Sequence, residues 1–366
     1  MKKIRNGIAI KLTVLLAFLL CSCAGNTDRA KNGVKITATD AKTEQTEEYN
    51  DAVFSMTIPK GWKVTCGGSD IYHSIRISDP DEPLNCMFVL LKADCLLHSQ
   101  EGKDAWKAVY NEGNRDAVIF ANAPVLEKPS TESFFKIFAQ YADMASKFEA
   151  AYVGYSFPHY DNFTVTDRFS GSGDMVKYSL GDEFLRATFT DNGRAGQGML
   201  PASLVDFTES LYSDRTIADY GLESVDSGYY MAYNIVAITA AKDTFIEWED
   251  LLTECLKTLK YSDIFENNIR GAIERDFFQA RCINQNFNQT MDGIMSSWDS
   301  RNKSIDIISQ KQSDATLGYE RVYDTRTKEI YRAAKGFTSS YKGKGYKPVT
   351  DDNMYTTPIS GYIEKD

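Results

Sequence analysis

Histidine is scarce in this chain, and with it the chemistry that depends on imidazole. Only His73, His98 and His159 are present among 366 residues, which limits metal ligation and proton transfer near neutral pH. No H-E-x-x-H segment occurs, so the commonest zinc hydrolase design is missing. No G-x-S-x-G occurs either. Gly171-Ser172-Gly173 lies in a polar stretch without the apolar strand that a nucleophile elbow needs. No phosphate-binding or dinucleotide fingerprint follows a strand, and Gly193, Gly196 and Gly198 precede Pro201 rather than a helix, as in a hairpin loop. None of the seven cysteines stands in a C-x-x-C pair, which excludes a zinc knuckle and a thioredoxin-type motif. No later apolar run approaches the roughly 20 residues of a membrane-spanning helix.

Basic charge is in short supply too. Lys and Arg number 41 against 51 Asp and Glu, a net charge of −10. That balance argues against nucleic acid as a partner and against broad adhesion to anionic lipid, both of which want a basic face. The totals otherwise describe a folding chain, with 43% hydrophobic and 25% charged residues. Its length allows two domains, because single cores stop growing near roughly 250–300 residues.

What is present begins at the N-terminus. Lys2, Lys3, Arg5 and Lys11 lead into an apolar stretch over residues 12–20, followed by Ser22 as a small residue before Cys23. A basic start, a short apolar core and a small residue mark an export signal. Leu20-Cys21-Ser22-Cys23 resembles the lipobox of bacterial lipoprotein signal peptides. The resemblance implies that residues 1–22 are removed, that Cys23 bears the lipid, and that the protein is exported and anchored to the bacterial membrane. Cys21 does not fit as the lipid acceptor, since Leu20 would then occupy the small-residue position. The mature chain would hold 37 basic against 51 acidic residues, or −14. Cys66, Cys86, Cys95, Cys255 and Cys282 would remain, an odd number that leaves at least one unpaired within the chain. Buried thiols are expected, because Cys86 adjoins the apolar run at 87–91.

Residues 23–50 read as a lipidated tether, polar throughout, with a short strand at 34–39 that nothing demands. From 51 to 262 the chain reads as one α+β domain. Phe54, Met56 and Ile58 alternate with small polar residues, the period of a strand with one buried face. Pro59 and Gly61 turn the chain, and further strands are expected at 62–64, 72–77, 86–91, 162–165, 175–180, 184–190 and 229–238. Asn192-Gly193 is a hairpin signal. Helices are expected from 105, over 132–148 and over 245–261. In the second of these Phe134, Ile137, Phe138, Tyr141, Met144, Ala145 and Phe148 form a core-facing stripe. Residues 263–366 read as a second unit: a helical stripe over 265–298, broken near 284–288 or at Gly293, then a hairpin over 318–332 and a tail without periodicity.

The Pro-x-Gly-Trp turn at 59–62, the antiparallel strands, and a last long strand followed by an aromatic-rich helix into Lys260-Tyr261-Ser262 together resemble the PsbP/Mog1-type α/β/α sandwich. The matching stretches are 54–64 and 229–262, and the helical region at 105–148 would be a long insertion in that fold. The resemblance implies an antiparallel sheet with flanking helices and no particular activity, since its members include assembly factors and binding modules. Trp298, the run from Gly318 to Asp324 and the return at 329–331 are similar to the C-terminal part of uncharacterised lipoproteins from anaerobic Gram-positive bacteria.

Two local clusters carry candidate chemistry. Asp79, Asp81 and Glu82 place three carboxylates on one loop, the oxygen chemistry that calcium prefers. The EF-hand glycine is missing, and Pro80 and Pro83 account for an ordinary turn. Tyr341, Lys342, Lys344, Tyr346 and Lys347 interleave aromatics with base, a pattern suited to an anionic or sugar polymer, or to a tail packed on the domain surface. The expectation is a lipid-anchored envelope protein that binds or scaffolds without a cofactor, its partners the membrane and a protein or wall polymer. The alternative is an envelope hydrolase whose carboxylates lie far apart in sequence; a retaining pair would stand roughly 5–5.5 Å apart.

Overall fold

The computed structural model describes residues 34–38, 45–170, 179–207, 225–275, 287–316, 318–357 and 359–365. The chain is α+β, mixing helices with open, largely antiparallel sheets. It divides into two units, Glu44–Arg301 and a smaller one that joins Met1–Thr43 to Asn302–Asp366.

β1 (Val34–Ala38) belongs to the smaller unit. The larger unit opens with β2 (Thr46–Asn50), β3 (Phe54–Pro59), β4 (Lys63–Gly67), β5 (Ser74–Ser78) and β6 (Cys86–Leu97), with a 3-10 turn at Asp70–Tyr72. Helices α1 (Gln100–Asn111), α2 (Val118–Asn122) and α3 (Thr131–Phe148) follow. The chain then makes β7 (Asp161–Ser170), β8 (Gly181–Asp191), β9 (Arg194–Asp206) and β10 (Tyr229–Ala241). It closes with α4 (Phe245–Lys257), β11 (Lys260–Tyr261), α5 (Asp263–Arg275) and α6 (Phe287–Thr316), of which residues up to Arg301 belong here.

Seven strands form one antiparallel sheet in the order β4-β5-β6-β10-β9-β8-β7, and β11-β3-β2 form a second. β6 and β10 sit at the middle of the large sheet and are apolar on both faces, as central strands covered on both sides must be. Cys86, Phe88 and Leu90 join the core under α3, while the alternate Met87, Val89 and Leu91 are buried on the opposite face. Arg186 on β8 reaches that opposite face, where its guanidinium lies over the Phe245 ring and bonds Glu249 of α4 at 2.6 Å. The Asn-Gly signal is realised: Asn192 and Gly193 have φ of 49° and 77°, and Asp191 pairs with Arg194 across the two-residue turn.

α3 begins where the sequence places it. Ser130 accepts the Ser133 N–H at 3.1 Å as N-cap, Glu132 stands in the first turn and Lys147 in the last. Its stripe is core: Phe134, Phe138 and Tyr141 are fully buried, and Phe138 meets the rings of Phe88, Tyr160 and Phe157.

Several limits differ from the sequence reading. Residues 46–50, expected as tether, are an edge strand that pairs with β3 in register Thr46↔Pro59 to Asn50↔Ser55. Residues 263–301 fall in the larger unit rather than the second one. There Trp298 is fully buried with its ring edge-on to Phe184. Asn288 accepts from the Tyr261 N–H at 2.8 Å and donates to its carbonyl at 3.2 Å. The apolar stripe of α5 and α6 thus finds its buried partners in the domain that precedes it. The expected strand at 175–180 and Gly171-Ser172-Gly173 lie for the most part outside the described residues, as do Cys21, Cys23 and Cys282.

In the smaller unit the expected hairpin is β12 (Tyr319–Asp324) and β13 (Ile330–Ala334). The tail is ordered rather than irregular: α7 (Phe337–Ser340), β14 (Tyr346–Pro348) and β15 (Ile359–Lys365) complete a five-stranded sheet, β1-β15-β13-β12-β14. Val322, Tyr331, Ala333, Phe337, Tyr346 and Ile363 form its core. Asp314 of α6 binds Arg321 at 2.6 Å and Arg332 at 2.9 Å, so one buried carboxylate answers two guanidinium groups.

Candidate functional site: a buried charge cluster at a bulge in β6

Lys92 and Asp94 interrupt the apolar run of β6 two residues apart, and so point to the same face. β5 ends at Ser74, opposite Leu90, so beyond that point the edge of β6 is flanked by the Asp70–Tyr72 turn. On its other edge β6 pairs with β10 through a bulge. Ala93 faces Ala232 and Leu96 faces Tyr230, which leaves Asp94 and Cys95 opposite Met231 alone. Cys95 takes the left-handed conformation at φ 61°. A non-glycine residue there costs about 1–2 kcal/mol, and bulges recur where a side chain must be re-aimed.

The re-aimed side chains form a closed set. Tyr72 donates its hydroxyl to Asp94 Oδ2 at 2.6 Å. Lys92 Nζ donates to the Tyr72 hydroxyl at 3.2 Å and lies 3.1 Å from Asp94 Oδ2. The ammonium also sits 5.0 Å from the Tyr72 ring centroid and 5.8 Å from that of Tyr233, its partner across β10. Lys92 is 4% exposed and the Asp94 side chain 15%, so this ion pair is nearly out of water. Tyr152 fixes the Tyr72 backbone, donating to its carbonyl at 2.6 Å. Gly68 packs so closely that a Cβ there would lie 2.0 Å from the same carbonyl oxygen, which only glycine allows.

Glu149 completes the cluster at the C-cap of α3. Burial, and then the charge of Asp94, push its carboxyl up to about 7, against the pull of Lys92. Its Oε1 is buried with no hydrogen-bond partner among the described residues. Burial and the charge of Asp94 also hold the Cys95 thiol and the Tyr72 phenol well above their ordinary ranges, so neither is an activated nucleophile. Chemically the set is a neutralised Lys–Asp pair beside a carboxyl that holds its proton near neutral pH. The sequence signal that could have found it is the Lys-x-Asp pair inside an otherwise apolar strand.

The other reactive groups are engaged elsewhere. His98 lies between two carboxylates, Nε2 at 3.3 Å from Asp206 and Nδ1 at 3.0 Å from Asp226, with its ring 4.1 Å from that of Tyr230. Burial lowers its proton affinity, but the bonds and charges of both aspartates outweigh that and the net shift is upward. His73 is enclosed by Tyr261 and Phe265, and burial drives it down to about 4 against the charge of Asp51, so it is neutral at physiological pH. Cys86, Cys95 and Cys255 are buried free thiols as expected, whereas Cys66 is exposed. Burial and Asp51 raise the Cys66 thiol to about 11.

The carboxylates on the 79–82 loop do not form an oxygen cage. Asp79 accepts from the Asp81 N–H at 2.9 Å and from Asn85 Nδ2 at 3.2 Å, while Glu82 accepts from the Leu84 N–H at 3.2 Å and pairs with Arg194. The three groups close the turn and tie it to β9. Among the described residues no three His, Cys, Asp or Glu side chains are gathered as a metal site. The tail tyrosines are likewise internal: Tyr341 stacks on Phe337 at 5.3 Å and Tyr346 is buried. No helix among the described residues is long and apolar enough to cross a membrane.

No protein-family model matches the chain, and no curated protein matches it.

Proposed function

We propose that this chain is a lipid-anchored protein of the bacterial cell envelope, held by an acylated Cys23, and that its folded body binds or scaffolds rather than catalyses. The anchor reading rests on the Leu20-Cys21-Ser22-Cys23 pattern after a short apolar core. The observation that carries the binding reading is the self-satisfied Lys92–Asp94–Tyr72 set, in which each charged group already holds its counter-group. A substrate would have to break that pair, and opening a buried ion pair costs about 3–5 kcal/mol. The likeness to the PsbP/Mog1-type sandwich belongs to the same proposal. Its two stretches adjoin, Lys260 and Tyr261 pairing with Ser55 and Phe54.

One observation favours the hydrolase alternative. Asp94 and Glu149, far apart in sequence, meet in one cluster, and Glu149 is raised to about 7, the range of a general acid. Incubation of the protein with purified wall polymer separates the two readings. The binding reading predicts that no reducing ends are released by wild type. Release that is abolished in Glu149→Gln or Asp94→Asn would assign the hydrolysis to this pair and displace the binding reading.

A further inference from the structure

Charge is unevenly divided between the two units. Residues 44–301 hold 22 Lys and Arg against 40 Asp and Glu, whereas residues 302–366 hold eleven against nine. The whole-chain balance that disfavours anionic lipid therefore describes the larger unit and not the smaller one. Within the smaller unit the basic groups gather at one end of the sheet. The turn from β12 to β13 carries Arg326 and Lys328, and the loop into β14 carries Lys342, Lys344 and Lys347, all five exposed.

Backbone bonds hold these two segments edge to edge. Tyr323 pairs with Lys347 and Asp324 with Tyr346. The Thr325 N–H donates to the Gly345 carbonyl at 2.8 Å, and its hydroxyl donates to the same oxygen at 3.1 Å. The two carboxylates on the turn are committed inward. Asp324 accepts the N–H groups of Arg326 at 2.8 Å and Thr327 at 3.3 Å, and Glu329 accepts from the Thr327 and Tyr331 hydroxyls at 2.8 Å each. Tyr346 and Tyr341, which might have offered stacking platforms to a sugar, are spent on the core beneath. What faces outward is ammonium and guanidinium.

We propose that this edge, Arg326, Lys328, Lys342, Lys344 and Lys347, docks on the anionic headgroups of the membrane that holds the protein. The choice of lipid over a free polyanion comes from chain length, and to that extent it rests on the lipid-anchor reading. β1 starts eleven residues after Cys23 and pairs with β15 of the same sheet. Eleven residues reach at most about 40 Å. The basic edge is β14, four strand spacings from β1, or about 19 Å. An anchor at Cys23 therefore keeps the patch within reach of the headgroup layer. Clusters of four to eight basic groups next to a membrane attachment have the charge pattern that anionic headgroups attract. The patch adds orientation to an attachment that the acyl chains already secure.

The test is sedimentation of residues 24–366, which lack the acyl chains and keep every described residue, with vesicles. One set is pure phosphatidylcholine and the other contains about one third phosphatidylglycerol. Binding is expected only to the anionic vesicles. It should fade as salt rises from about 0.1 M to about 1 M, which shortens the screening length from roughly 10 Å to roughly 3 Å. Reversal of three charges, K342E/K344E/K347E, should weaken it by about tenfold or more. Lys344→Glu should weaken it measurably, while Lys335→Glu, the same charge change at the opposite end of β13, should not. Equal binding to both vesicle types, or equal loss in Lys344→Glu and Lys335→Glu, would overturn the proposal. Binding to soluble polyphosphate with the same lysine dependence, without binding to vesicles, would also overturn it and make the partner a free polyanion. The lipid on Cys23 plays no part in this assay. A negative result leaves the anchor standing, and an unmodified Cys23 in cells leaves the vesicle result unchanged.

Discussion

Glu149 is the residue whose surroundings cost it most. Its carboxyl is raised from 4.5 to about 7 because burial and then the neighbouring Asp94 disfavour its charge. The folded state therefore holds the proton more tightly than the unfolded chain does. The stability linked to that proton is complete below pH 4.5 and is lost as pH rises through about 7, a change of up to about 3 kcal/mol. Glu149→Gln cannot ionise, so its melting temperature should gain on wild type as pH rises from 4.5 to 8. Thermal melts across that range check this, and parallel curves for the two proteins would contradict it. Nothing in the sequence around Glu149 announces this environment. Asp94 lies 55 positions away in the chain, and only the turn of α3 onto the bulged part of β6 brings the two together. Lys92 and Asp94 were more legible, as charges inside an apolar strand, although the bulge that aims them has no signature in residue type. Cys95 in the left-handed region is the opposite of what its side chain would choose.

At the scale of elements the sequence was a good guide wherever one face is buried. α3 was legible because its aromatic stripe repeats at three and four residues, and the structure puts that stripe against β6, β8 and β9. Phe138→Ala should cost roughly 3–5 kcal/mol, the range for truncating a fully buried aromatic ring. Chemical denaturation measures the loss, and an unchanged midpoint would place the stripe on a surface. β2 was illegible for the complementary reason. Thr46-Glu47-Glu48-Tyr49-Asn50 is an exposed edge strand held by backbone pairing with β3, so its side chains carry no alternation. The 79–82 loop shows the same limit in a site. Three carboxylates at close spacing read as a cation loop, but turn N–H groups, Asn85 and Arg194 compete for the same oxygens. Hydrogen bonds of that kind depend on backbone geometry that composition does not reveal.

At the scale of the molecule, the division into two units was legible in length, but its boundaries were not. The smaller unit is discontinuous: β1 comes from the beginning of the chain and completes a sheet whose other strands come from the end. A linear reading assigns the first segment to a tether and overlooks the pairing of Val34 with Lys365. The helices at 263–298 were assigned forward along the chain, whereas Trp298 and Asn288 bind them to what precedes. The localisation rests on the first 23 residues, and the central claim is that Cys23 is the mature N-terminus. A single myristoyl-length chain gives only marginal binding, and each buried methylene adds about 0.8 kcal/mol. Two or three chains on one residue would hold the protein without help from the acidic larger unit. Mass spectrometry of the N-terminal peptide from purified membranes tests this most directly. The account predicts a peptide beginning at Cys23 with a thioether-linked diacylglycerol, and an unmodified peptide beginning at any other residue would contradict it.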